Sequence, residues 1–449
     1  MGSTSQETFE FFMKNEQYEK LLIFCRKDNS IESKYWELTA LSRLENYSEL
    51  FEKQKSYEEL FEKFGGEWEG KFYYFSGMIY SQIGKFQMAL DYFIKALGCF
   101  TILDHKLDIA KSSFQIANME SLQGNFTNSM INYESSLAIF KEIGDDDFIG
   151  YSFANMTYIY AQQGELDLAF EYLSNVLKVY TNRDTSAKGI CLIDAGKIKL
   201  QKGEIHEAIR FFNESLLIGE KHRLDFIRCQ SIMMICVSEL SKQNPDRQIV
   251  QNYLDKLLQI QQKNDDQMNR VFYHYTKAMY LKTSIRIRDK IKAEEMFHKI
   301  IEENDSIKEI QLDCIHNLIE ILVFEYKATG EDEVLIEIQD QLDKILDISN
   351  KEFLYPRIIQ AQIIRAKLTT ITGDFEQAEQ LLDDILEITI EKQLHGLKKK
   401  IEQEKINLLE EFKSMKRLID ENVSVSRKID NLGLLDYIKF AGNMRLEDE

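Results

Sequence analysis

Apolar residues recur three and four positions apart through most of this chain, with carboxylates, lysines and amides between them, the pattern of helices that each bury one face. Between Lys71 and Leu216 the pattern is itself repeated: GKFQMALDYFIKAL from Gly84, GNFTNSMINYESSL from Gly124, GELDLAFEYLSNVL from Gly164 and GEIHEAIRFFNESL from Gly203, spaced by 40, 40 and 39 residues. Each glycine falls where one helix ends and a second begins. A helix pair cannot bury its apolar face alone, so a fixed period of this size predicts stacked pairs with a continuous core. Only two prolines stand among 449 residues, which leaves little turn chemistry for a sheet. The predicted class is all-α, an α-solenoid of stacked antiparallel helix pairs.

The repeats are regular over residues 69–224 and less so on either side. Residues 1–68 read as N-terminal capping helices with a degenerate repeat, in which Leu50, Phe51, Leu60, Phe61 and Phe64 keep helical spacing. Residues 225–390 continue as divergent pairs. One is joined at Asn244-Pro245, where Asn suits a helix cap and Pro the first turn. Another, restored at Gly373 and Ala378, is the last clear pair, for about eight or nine units in all. Residues 391–449 read as C-terminal capping helices covering the last apolar face. A coiled-coil arm is disfavoured there, because Leu397, Ile401, Ile406, Leu408 and Leu409 hold no heptad register.

In the first regular copy Tyr73, Gly77, Tyr80, Gly84, Ala89, Phe93 and Ala96 stand in an order that resembles the tetratricopeptide repeat. The later copies keep it through Ala117, Gly124, Ser129, Tyr133 and Ser136, then Phe153, Tyr160, Gly164, Ala169 and Leu173, then Gly196, Gly203, Ala208, Phe212 and Ser215. The period near 40 in place of the commoner 34, and the missing helix-ending proline, make it similar to the long-period branch that includes kinesin light chains and many microbial multi-repeat proteins. The resemblance implies a right-handed superhelix whose first helices line a concave groove for a peptide. Carried over position by position, the inward residues are Tyr74, Lys111, Gln115, Asn118, Asn155, Tyr158, Asp194 and Lys197. Side-chain amides offer both donor and acceptor, so Gln115, Asn118 and Asn155 suit a peptide backbone of any sequence. Asn155 resembles the asparagine that peptide-binding members use. The chaperone-binding carboxylate clamp is incomplete: Lys71 and Lys111 hold lysine positions, but Phe75, Gln115 and Tyr151 stand where the rest belongs.

Charge narrows the partner. With 56 Lys and Arg against 75 Asp and Glu, the chain carries −19, which repels a phosphate backbone and steers basic peptides inward. Nucleic acid is therefore not an expected partner. The longest apolar runs, such as Ile232–Val237, are too short to span a membrane. Six dispersed cysteines without short paired spacing point to a reducing, cytoplasmic setting. Gly2 does not make a myristoylation motif, since Gln6 occupies the Ser/Thr position.

Candidate chemistry is sparse. Seven histidines stand singly, with no HExxH, and the Cys229 and Cys236 pair encloses Ile232, Met233 and Ile235, which reads as packed core and not as a metal site. There is no GxxxxGK[ST] loop, no strand followed by GxGxxG and no GxSxG elbow, so no cofactor, metal or catalytic set is expected. The expected role is a non-enzymatic scaffold that takes a partner's peptide segment. A peptide- or ligand-sensing module and a self-assembling solenoid are the alternatives; of the oligomeric states a monomer is slightly favoured.

Overall fold

The computed structural model describes residues 3–181, 185–264, 266–303 and 308–442, so Gly2 lies outside the described residues. Among them are 23 α-helices and no strand, arranged as antiparallel pairs that stack in chain order. The all-α solenoid expected from the 40-residue period is the architecture observed. Two compact units divide the chain inside one helix, the first ending at Ser152 and the second beginning at Phe153.

Unit 1 contains α1 (Ser3–Lys14), α2 (Tyr18–Cys25), α3 (Ile31–Arg43), α4 (Tyr47–Phe64), α5 (Gly66–Gln82), α6 (Phe86–Ile102), α7 (Lys106–Leu122) and α8 (Phe126–Ile143), and ends within α9 (Asp146–Gln162). Its core is aromatic. Phe61 stacks on Phe72 with ring centroids 4.6 Å apart, Phe140 on Phe148 at 4.6 Å, and Tyr80 on Tyr92 at 5.3 Å. Large flat rings fill the space between helices at low rotamer cost and give pair contacts beyond area burial.

Unit 2 continues with α10 (Leu166–Val179), α11 (Ser186–Gln201), α12 (Ile205–His222), α13 (Asp225–Leu240), α14 (Arg247–Lys263), α15 (Gln267–Lys282), α16 (Ile287–Glu303), α17 (Lys308–Thr329), α18 (Asp332–Lys351), α19 (Tyr355–Thr372), α20 (Phe375–Glu391), α21 (His395–Asp420), α22 (Val425–Asn431) and α23 (Leu434–Gly442). Aliphatic side chains dominate its core, from Ile193 and Leu216 through Ile232, Leu254 and Ile300 to Leu318. Cys229 and Cys236 belong to that core, and burial raises both thiols, Cys229 to about 12. They are packing residues.

The glycines read as turns are turns. Gly84, Gly124, Gly164 and Gly203 all take φ between 73° and 78°, and after each the next N–H reaches back five residues, as Lys85 does to Tyr80 O at 2.9 Å. This left-handed cap satisfies carbonyls that a helix end leaves bare, and glycine adopts it without a Cβ clash. The small signature residues mark close approach. A Cβ on Gly77 would lie 2.7 Å from the Phe93 ring, and one on Gly196 only 2.3 Å from Phe212. The cap of α14 differs from the expected Asn244: Asp246 takes the N–H groups of Gln248 and Ile249, because it stands directly before the first helical residue.

Unit 2 also returns on itself. The N–H of Leu397 donates to Gln163 O at 3.2 Å, and Gly396 rests on Gly164 so closely that a Cβ there would be 2.7 Å from the Gly164 carbonyl. Thus the turn before α10 meets the start of α21. No described helix is long and apolar enough to cross a membrane.

Candidate functional site

The eight residues carried over from the repeat pattern fall on α5, α7, α9 and α11, each the first helix of its pair. Four of them lie in unit 1 and four in unit 2.

In unit 1, Tyr74, Gln115 and Asn118 form a chain of neutral hydrogen bonds. Asn118 Nδ2 donates to Gln115 Oε1 at 2.9 Å, Gln115 Nε2 to the Tyr74 hydroxyl at 3.5 Å, and the Tyr133 hydroxyl to Asn118 Oδ1 at 2.5 Å. Burial raises the Tyr74 phenol, so it stays protonated and polar without charge. The Lys111 ammonium lies 5.8 Å from the Phe148 ring centre, within cation–π range. Lys71 is engaged locally, by Glu67 at 2.5 Å and the Trp68 ring at 4.6 Å.

In unit 2 the group is charged. Lys197 on α11 donates to both carboxylate oxygens of Glu309 on α17, at 2.9 Å each, although 112 residues separate them. Arg357 on α19 donates to Asp313, one turn along α17 from Glu309. Asp194, one turn before Lys197, joins them electrostatically. α17 and α19 are first helices of adjoining pairs, whereas two whole pairs stand between α11 and α17, so it is the Lys197–Glu309 contact that spans the interior of the unit. The side chains keep access to water: Glu309 is 48% exposed, Asp313 19%, Lys197 17% and Arg357 11%. They are walled in by helices yet wet.

Three carboxylates share two cations here, and the proton affinities follow. Burial pushes Asp194 up to about 6; Lys197 pulls it down and Glu309 pushes it further up. The Lys197 ammonium holds Glu309 below the usual carboxylate range against its burial. Asp313 is raised, burial outweighing Arg357. Burial works against the charge of Lys197 itself, but Glu309 and Asp194 outweigh it and its pKa rises. Tyr158 lies in the same unit near Glu352 and Tyr355, and burial raises its phenol to about 12.

Glu309, Asp313 and Arg357 were not among the residues read from sequence. They lie in the divergent repeats, roughly four to six helical turns before Gly330 or Gly373, the turn glycines that end α17 and α19, and so beyond the stretch over which the repeat pattern was carried. The available signal was the α17 stripe of Glu309, Asp313, His316 and Glu320 at helical spacing, three acids and a histidine along one face of a helix rich in Ile and Leu. Among the described residues no three His, Cys, Asp or Glu side chains converge as a metal site.

Comparison with known proteins agrees with the architecture. Residues 70–98 match the tetratricopeptide repeat family. No curated protein sequence matches the chain. Among solved structures, the apo form of RapI superposes with TM-score 0.62 at 16% identity, covering 76% of this chain and 97% of that one. The apo form of the quorum sensor NprR from B. thuringiensis gives TM-score 0.53 at 14% identity, covering 75% and 97%. A STAND protein with a tetratricopeptide repeat sensor, PH0952 from Pyrococcus horikoshii, gives 0.54 at 14% identity over 66% of this chain and 46% of that one. At such identities the likeness is one of fold, and it lends nothing to the kinesin light chain comparison. The matched repeat and the stacked helix pairs give this chain the fold of a tetratricopeptide-repeat solenoid.

Proposed function

We propose that this chain is a non-enzymatic interaction protein that receives a peptide segment of a partner against its first helices, with the interior of unit 2 as the principal contact zone. One observation carries the reading: opposite charges on α11, α17 and α19 meet across that interior while keeping a wet face. Buried ion pairs are a poor source of stability, since apolar side chains of similar size do as well or better. Charges kept on an inner wall are instead suited to exchange partners with the ends, side chains or backbone of a bound peptide. Asp194, the carboxylate in excess, favours a ligand with a positive group, as does the overall charge of −19. In unit 1, Lys111, Gln115 and Asn118 give the first helices a polar lining of their own, and in unit 2 Asn155 and Tyr158 do so on α9.

A sensing role is the second reading. Lys197 and Glu309 tie α11 to α17, so a ligand that takes either charge alters the bracing between distant pairs. Two of the proteins that share the fold are described as sensors, which supports the reading.

The test is selection of displayed random decapeptides on the intact chain, followed by binding of the enriched sequences to Glu309→Gln/Asp313→Asn, which lacks the carboxylates that would receive a positive group. Enrichment of cationic peptides that bind the double variant at least tenfold more weakly supports the reading. Equal binding to both proteins refutes the assigned wall. Compaction on binding in solution scattering selects the sensor over the static scaffold.

A further inference from the structure

The last two helices do not simply end the array. α22 and α23 pack against α17 and α19, with their main contacts on α17. The imidazole of His316 donates from Nε2 to the carbonyl oxygen of Ile438 at 2.8 Å, a contact across 122 residues. That fixes the face involved. Glu309, Asp313, His316 and Glu320 lie at helical spacing along one stripe of α17, and the first two carry the charged cluster while the third carries α23. Arg357 acts on both, pairing with Asp313 and standing close enough to His316 to disfavour its protonation. The seat of α23 and the charged cluster are therefore neighbours on one inner wall.

The seat is built like a docking groove. Leu434 and Ile438, four apart on α23, are fully buried, as are Ile429 and Leu432 before them. The Lys367 ammonium lies 5.2 Å from the Tyr437 ring centre, and Lys327 pairs with Asp430. Yet the occupant depends on the seat for its own structure. α22 and α23 are 7 and 9 residues long, too short to be helical in water unless seated.

We infer that α22–α23 is an exchangeable occupant of the inner wall of α17 and α19, and that this hairpin and a peptide bound at the Glu309–Asp313 cluster exclude one another. The hairpin leaves as a unit about the 421–424 connection and exposes an apolar strip beside the charges. The exclusion rests on the peptide-binding reading above; the exchangeable seat does not.

The probe is a fluorescent synthetic peptide of residues 425–442, titrated into the full chain and into full-length Leu434→Asp/Ile438→Asp, whose own hairpin is unseated. The variant should bind the probe saturably and the wild type at least tenfold more weakly, because its seat is filled. Adding His316→Ala to the variant should weaken the probe several-fold. A variant that melts cooperatively as a helical protein but does not bind the probe overturns the inference. If that variant does not fold, hydrogen exchange on the wild type decides: α22–α23 amides opening faster than those of α17 support exchange, and equal protection overturns it. Peptides selected on the intact chain then test exclusion. Competition with the probe supports it, and simultaneous binding overturns it while leaving the groove standing. Should no peptide be selected while the probe still binds, the groove reading falls and the seat survives.

Discussion

Unit 1 and unit 2 line their first helices with different chemistry. In unit 1, Tyr74, Gln115, Asn118 and Tyr133 share protons along a neutral chain between adjoining pairs, over an aromatic core. In unit 2, Lys197, Glu309, Asp313 and Arg357 are ions joined over 112 and 44 residues, above an aliphatic core. A neutral chain depends on near neighbours and tolerates changes of pH and salt. Ion pairs across an interior exist only while distant helices are held in place, and they respond to anything that alters charge. One repeat architecture thus carries a local wall and a conditional one.

The sharpest way to break the contrast is to open unit 2 without touching its charges. Gly396→Val drives a side chain into the Gly164 backbone, which cannot turn aside as a side chain can. A loss of about 3 kcal/mol is expected, the upper part of the range for overpacking, read as a lower urea midpoint. The Lys197–Glu309 pair should be lost with it, so Lys197→Ala added to this variant should have little further effect.

In the otherwise native chain Lys197→Ala should cost about 2 kcal/mol, less than for a fully enclosed pair because Glu309 is 48% exposed. Adding Glu309→Gln should recover part of this, since the stranded charge goes too. Full additivity of the two substitutions in urea denaturation would show that the pair does not couple.

Protonation separates the units next. Asp194 has a folded pKa of about 6 against a usual 3.8, so between these values the folded chain holds the extra proton. Stability from this group falls as pH rises through that window, and its charge is a net cost at neutral pH. Asp194→Asn should therefore stabilise by roughly 1 to 2 kcal/mol at pH 7, and by almost nothing near pH 4. His316 acts with the opposite sign. Burial lowers it from 6.5 to about 4, so the unfolded chain takes the proton first and stability rises with pH over that range. His316→Gln should remove that rise. Thermal melts between pH 4 and 7 check both slopes.

The smallest effect belongs to the neutral wall. Asn118→Ala removes the acceptor of the Tyr133 hydroxyl and should cost about 1 kcal/mol, with no dependence on pH between 4 and 7. A pH-dependent cost would blur the distinction between the two walls.

Much of this was legible in the residues. The four turn glycines adopt the left-handed cap that their spacing predicted, and Gly77 and Gly196 lie under Phe93 and Phe212 as small and large signature positions should. Tyr74 on α5 and Gln115 and Asn118 on α7 were assigned from the same register, and the structure joins them by hydrogen bonds between adjoining pairs. Asp194 and Lys197 were assigned inward from their own repeat, but their partners were not visible. Beyond Leu224 the anchors thin out, and although Gly330 and Gly373 end α17 and α19, Glu309, Asp313 and Arg357 stand near the far ends of those helices, outside the repeat register. Even the local cap at Asp246 needed the helix start itself, which composition around Pro245 left open by two residues.

The sequence by itself determined the helices, their pairing and their stacking, because each depends on apolar spacing and turn geometry within about forty residues. Only the tertiary structure decided that Gly396 meets Gly164, that Lys197 reaches Glu309, and that α23 lies on His316. Small rotations between successive pairs accumulate along a stack. Whether two residues a hundred positions apart finally touch depends on that sum, and no local pattern records it.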